Sequence, residues 1–350
     1  MRFLLLLPLL WGVAATAQRL NTDAIDAFWR VVDRLERDKP LTDSLWNAYY
    51  DLPGNKVYMH ANRPAEEVAE HRRYLEFVFR PSMRDSLKTL PDQNDDILDN
   101  LVYIRDHEAA LRAYTDTVVS PAYLSGCRDL ALQYLPKDKH LPIPSDLTIY
   151  IMAIAFDGAV QGSHMYFGLA RVYEYDRFRK GALAGHELHH QMRVDDSLRR
   201  PVTADDSAAF TAVDLVNNEG SADLIDKMLV IDNPGQVFRA AGNLHRLMDR
   251  APAAIRALDS CFRRGSGNYD AILNYSSGHL PGMYMADVIR RGGLTAELVA
   301  HNDNPFRFFY YYNQAAALDP RKPPVFSAEA MGYLMVLERR CIAVGNYDGK

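Results

Sequence analysis

Apolar residues recur at helical spacing over 21–135, broken by turn and cap signals. Thr22, Thr42 and Asp92 stand where N-caps belong, and Pro40, Pro81, Pro121 and Pro136 mark element ends. The longest amphipathic stretch of this half covers 95–114. The pattern changes at 147–156, LTIYIMAIAF, which is β-branched and aromatic and predicts a strand. A glycine-containing turn follows at 157–162, and 164–175, HMYFGLARVYEY, predicts a second strand. From there the period returns to that of helices. One helix is expected to start at Asp176 and run to Arg193, and a second covers 207–230 and stops at Asp232-Asn233-Pro234-Gly235. Further helices are expected over 236–264, 281–291 and 327–343. The aromatic cluster Phe306, Phe308, Phe309, Tyr310, Tyr311 and Tyr312 reads as core or cleft wall. The fold class is α+β, mainly α, with a small sheet just ahead of the 176–193 helix and a helical N-terminal layer. No repeat or long Gly/Ser linker divides the chain, so we expect a helical region over 18–140 and a second region over 141–350, joined closely enough to act as one unit.

Residues 1–17 combine Arg2, an apolar run from Phe3 to Val13 and the small-residue end Ala15-Thr16-Ala17, the layout of a cleavable secretory signal. The run is too short to span a bilayer, so the expectation is an exported protein, periplasmic or extracellular, without a membrane span. Removing these residues takes the formal charge from −5 to −5 − 1 = −6, with no basic tract, which argues against nucleic acid as a partner. Three widely separated cysteines, Cys127, Cys261 and Cys341, exclude a disulfide scaffold and a Cys-x-x-Cys metal site; they fit either buried thiols or a single bridge.

The candidate chemistry lies at 186–190, His-Glu-Leu-His-His. On a helix His186 and His190, four positions apart, face one way and reach one metal ion, with Glu187 beside them as a base. This is the HExxH arrangement of zinc-dependent peptide hydrolysis. A catalytic zinc takes three protein ligands and keeps one position for water, so another donor is required. Glu219 and Asp223, in NNEGSAD, are four apart on the next predicted helix and project from one face. The rival HExxHxxGxxH spacing would need Gly at 193 and His at 196, where the chain has Arg193 and Asp196. His189 belongs to packing or to the support of the ligands.

HELHH followed by NEGSAD resembles the HExxH…ExxxD arrangement of gluzincins, the thermolysin-like zinc metallopeptidases. The resemblance covers roughly 147–230 and implies a zincin-like core, one Zn2+ held by His186, His190 and Glu219, Glu187 as general base, and Asp223 as the carboxylate that orients His186. More loosely, with GHLPGMYMADVI from Gly278, the chain is similar to exported bacterial proteins grouped as zinc-dependent peptidases of unknown substrate. It departs from the aminopeptidase gluzincins: Gly158-Ala159-Val160-Gln161 stands where a GxMEN loop would be and has no glutamate to grip a free amine.

Hydrolysis through a tetrahedral oxyanion also needs a donor opposite the metal. His279 and Tyr284, in the Gly-rich turn and helix start SSGHLPGMY, are the candidates, with Tyr275 as a weaker third. The 147–156 strand is a candidate to pair with an extended peptide along the cleft. The residues therefore predict a zinc peptidase acting on peptide or protein substrates. The rival readings are a zinc hydrolase of a non-peptide amide and a catalytically silent, metal-stabilised peptide-binding envelope protein.

Overall fold

A computed structural model describes residues 18–345 apart from 63, 90–95, 119, 155, 157, 195–197, 199–202, 234–240 and 275. The expected signal segment 1–17, the expected cap Asp92, Asp196 and Tyr275 lie outside the described residues.

The N-terminal half is the expected helical layer: α1 (Asp23–Leu35), α2 (Asp43–Tyr50), α3 (Pro53–Asn62), α4 (Ala65–Phe79), a 3-10 segment (Pro81–Thr89), α5 (Asp96–Asp106), α6 (Glu108–Val118) and α7 (Pro121–Leu132). In α1 the buried residues Ile25, Phe28, Val32 and Leu35 form one stripe. Each such side chain contributes about 1.5–3 kcal/mol through burial. The Thr42 side chain caps α2 by accepting from Leu45 N at 3.3 Å, whereas Thr22 makes no side-chain cap. The 95–114 run is not one helix; it breaks at His107, between α5 and α6.

Four strands form one sheet: β1 (Arg19–Asn21), β2 (Thr148–Met152), β3 (Gly158–Gln161) and β4 (His164–Gly168), in the order β1-β2-β4-β3. β2 is parallel to both neighbours and β3 is antiparallel to β4. Three features depart from the sequence reading. The three-residue β1 carries too little pattern to register as a strand. The 147–156 strand is an interior one, buried at every position of β2 and paired on both sides, so it offers no free edge to a peptide; β3 is at an edge. The 164–175 segment is half strand and half helix: after Gly168 it becomes α8 (Leu169–Asp176), where Leu169, Ala170, Val172 and Tyr175 are buried at helical spacing.

The histidine helix is α9 (Ala182–Met192), which starts six residues later than expected. Asp176 ends α8 instead, and its Oδ1 accepts from Gly181 N at 2.8 Å, fixing the turn from which α9 departs. Gly181, at φ 82°, takes the left-handed conformation that glycine adopts without strain. The expected 207–230 helix is two helices, α10 (Ala204–Asp223) and α11 (Lys227–Asp232), separated by Leu224, Ile225 and Asp226. The rest is helical: α12 (Ala241–Arg264), α13 (Tyr269–Leu273), α14 (His279–Arg291), α15 (Thr295–Ala300), α16 (Pro305–Leu318) and α17 (Ala328–Gly345). The aromatic cluster lies on α16, with Phe306, Phe308, Phe309 and Tyr312 buried as core. Cys127, Cys261 and Cys341 are buried free thiols.

Among the described residues two large hydrophobic cores form, with two smaller clusters beside them. One gathers α1, α4, the sheet and the inner face of α9, through Leu183, Ala184, Leu188 and Met192. The other gathers α10, α12, α14, α16 and α17. The outer face of α9 meets α10 and α14 along the seam between them.

Candidate metal centre

Backbone contacts set the positions of the three site helices. α9 lies on α7 at Gly185, where a Cβ would stand 3.0 Å from Leu130 Cβ and 3.2 Å from Cys127 O. α10 and α14 cross at Gly220 and Gly282. A Cβ on Gly282 would stand 2.7 Å from Val216 O and 2.8 Å from Gly220 N, so only glycine permits this approach. Gly278, at φ +93°, turns the chain into α14 directly beside Glu219, and His279 follows as the first helical residue.

This packing brings His186 and His190 of α9 against Glu219 of α10. His186 Nε2 and His190 Nε2 are 3.0 Å apart, and Glu219 Oε2 lies 3.6 Å from the first and 3.4 Å from the second. Donor atoms about 2.0–2.1 Å from zinc at tetrahedral angles stand about 3.3–3.4 Å from one another, so this triangle is one face of a zinc tetrahedron. Glu219 Oε2 is buried and has no hydrogen bond, which is costly in a protein interior unless a cation completes it. The carboxylate of Glu187 lies within 4.8 Å of the ring nitrogens of His186 and His190.

The support behind His186 differs from the expectation. Its Nδ1 donates to Asp226 Oδ1 at 3.0 Å, while Asp223 Oδ1 is 3.7 Å away. Asp223 faces His279 instead, with Oδ1 and Oδ2 at 3.0 and 3.2 Å from His279 Nδ1. The reason is the break after Asp223, which swings Asp226 under the imidazole. A donating Nδ1 leaves the His186 Nε2 lone pair for the metal. Asp226 escaped the sequence reading because that segment reads as continuing helix; its signal was its place three residues beyond Asp223 on the same face.

On balance the charges favour a cation. Burial and Lys227 push the His186 pKa down, but Asp226 and Glu219 outweigh them and raise it to about 10. Burial alone would raise the Glu219 carboxyl; His186 and His190 hold it far below the usual carboxylate range. The residues therefore fit a zinc ion, which His186, His190 and Glu219 would hold.

A family model described as "Putative zinc dependent peptidase (DUF5700)" matches residues 46–321, which is 276 of the 350 residues. The chain belongs to this family. No curated protein and no solved structure matches it significantly. The family match spans α9, α10 and α14 together, so all the site residues named here fall inside the segment that defines this zinc-peptidase family.

The two candidate oxyanion donors part company. His279 joins the cluster, with its side chain 27% exposed and its Nδ1 also 3.2 Å from Glu219 Oε2. Tyr284 does not join it. Five residues along α14, it packs on the C-terminal core, and its charged neighbours are Arg291, Asp319, Asp287 and Arg321, at the other end of that helix. The sequence places both residues in one segment but cannot say which face of α14 turns toward the metal.

His189 is buried behind the site, as expected of a supporting residue. Asn302 Nδ2 donates to His189 Nε2 at 2.9 Å and to Tyr134 O at 2.9 Å, and Asn302 also bonds Asn217 and Ser221 of α10. Burial, His190 and Arg193 hold the His189 pKa well below its ordinary value, keeping it neutral. Asn302 thus ties α9 to α10. It lies more than a hundred residues from either His189 or Tyr134, and nothing local in the sequence marks it.

Proposed function

We propose that the protein is an exported zinc-dependent peptidase that cleaves peptide bonds in peptide or protein substrates. The observation that carries this reading is the triangle of His186 Nε2, His190 Nε2 and Glu219 Oε2, backed by Asp226. Zinc held by His186, His190 and Glu219 would supply Lewis acidity toward the scissile carbonyl and make a water acidic near neutral pH. Glu187 takes the proton of the attacking water and hands it to the departing amine, so one carboxylate serves both halves of the reaction. His279, anchored through Nδ1 on Asp223, leaves Nε2 for the developing oxyanion. A donor of this kind contributes about 2.7–4 kcal/mol of transition-state stabilisation. Export follows from the signal-like segment 1–17, and no helix among the described residues is long and apolar enough to cross a membrane.

The test is metal analysis of the purified protein together with a Glu187→Gln variant assayed on a mixed peptide library. We expect one zinc per chain in both forms, with cleavage by the parent and a loss of at least about 10²-fold in the variant. Zinc in both forms with no cleavage by the parent would point to the peptide-binding module. Cleavage confined to non-peptide amides would point to the other hydrolase.

A further inference from the structure

Lys227 is a charged residue in an interior position: it is only 7% exposed, and its ammonium reaches Asp226 Oδ2 at 2.8 Å and Asp223 Oδ1 at 3.3 Å. These two carboxylates serve different parts of the site. Asp226 holds the metal ligand His186, and Asp223 holds His279. One ammonium therefore bridges the supports of both histidines. Asp226 is fully engaged: Oδ1 accepts from His186 Nδ1 at 3.0 Å and from Lys227 N at 2.7 Å, and Oδ2 accepts from Lys227 Nζ. The same residue thus caps α11 and fixes the imidazole, and neither task leaves it free to rotate.

Burying a lysine is costly, and an apolar side chain of similar volume commonly replaces a buried ion pair at no loss of stability. What an apolar residue cannot supply is a fixed positive charge between two carboxylates that would otherwise repel each other. Asp226 and Asp223 keep the Lys227 pKa high against the effect of burial.

We propose that Lys227 is a positioning residue for the reaction: it locks Asp226 and Asp223 in place, so that His186 at the metal and His279 at the oxyanion are set as one unit. The proposal rests on the zinc-peptidase reading, and its main test does not use activity. Zinc affinity is measured by chelator competition for the parent, Lys227→Met, Lys227→Arg, Asp226→Asn and the Asp226→Asn/Lys227→Met pair. Loss of an outer partner of a metal ligand typically costs about 10–100-fold in affinity, and we expect that loss in Lys227→Met, with substantial recovery in Lys227→Arg. The paired variant removes one charge of each sign and so keeps the net charge of the interior, which makes it the second measurement where Lys227→Met does not fold. If Lys227 acts through Asp226, the pair binds zinc about as well as Asp226→Asn alone, because the losses do not add. Where the peptidase is active, Lys227→Met also lowers kcat more than it raises KM.

A folded Lys227→Met with zinc affinity within about threefold of the parent overturns the proposal, measured against that typical loss. So does a paired variant whose affinity falls well below that of Asp226→Asn. A parent that binds no zinc overturns the zinc reading itself, and a parent that binds zinc without cleaving peptides overturns only the peptidase reading.

Discussion

The two sides of the metal centre are built by different means. On the α9 side, His186, Glu187 and His190 come from five consecutive residues, and their spacing alone places them. The fold has only to anchor one helix there, through Asp176 at Gly181 and through Gly185 against α7. On the other side, Glu219, Asp223, Asp226 and His279 come from three elements. A glycine-to-glycine helix crossing and a buried lysine bring them to one point. The histidine side is specified locally and the carboxylate side by tertiary packing, so the second is where single substitutions should separate metal binding, catalysis and folding.

The largest effect is expected from Glu219→Ala. It deletes a donor whose Oε2 is buried without any hydrogen bond, and leaves two histidines facing an incomplete site. Zinc affinity should fall by clearly more than the roughly 10–100-fold that loss of an outer partner costs, and peptide cleavage should fall with it. Chelator competition and metal analysis measure this. A variant that keeps stoichiometric, tightly held zinc would remove the carboxylate side from the metal altogether.

Next in size is the contrast between Asp226→Asn and Asp223→Asn. Asp226 meets His186 at 3.0 Å and Asp223 meets His279 at 3.0 Å, so two residues one turn apart should report on different steps. Asp226→Asn should weaken zinc by about 10–100-fold, or about 1.4–2.7 kcal/mol. Asp223→Asn should cost less zinc affinity and more kcat, because His279 loses the carboxylate that anchors its Nδ1. Equal losses of affinity in the two variants would undo the assignment of each carboxylate to its own histidine.

These assignments also mark where the sequence ceases to be legible. That His186 shares a face with His190, and Glu219 with Asp223, is legible because a four-residue step on a helix fixes relative direction without knowledge of the rest of the fold; that Asp223 meets His279 rather than His186 is not. The mainly helical class with a small sheet was readable because hydrophobic periods of 3.6 and 2 are local signals. Asp226 was not, since its role depends on α10 ending at Asp223, and the next residues have as much helical character as those before. Tyr284 was misplaced for a related reason: a segment can be assigned to a helix without knowing which face meets the metal. A strand within 147–156 is legible, but not its interior place, which follows from pairing with a three-residue strand 129 positions away, as in Asn21↔Tyr150 and Leu20↔Ile149.

The smallest effects, and the sharpest test of the comparison, come from adding one methyl group to each side. Gly282→Ala and Gly185→Ala both lie inside helices, where alanine gains about 0.5–1 kcal/mol over glycine from the unfolded chain. At Gly185 the new methyl would stand 3.0 Å from Leu130 Cβ and 3.2 Å from Cys127 O, contacts that α7 relieves by giving a few tenths of an ångström. At Gly282 it would stand 2.7 and 2.8 Å from backbone atoms of Val216 and Gly220, which can yield only if α10 moves as a whole. Overpacking of that sort costs about 1–3 kcal/mol and exceeds the helix gain. We therefore expect Gly185→Ala to be near neutral in chemical denaturation and Gly282→Ala to be destabilising. Because α10 carries Glu219 and Asp223 while α14 carries His279, Gly282→Ala should lower kcat as well. Equal stability changes at the two glycines would mean that the α10–α14 crossing is no more tightly specified than the seat of the histidine helix, and the contrast between the two sides would fail.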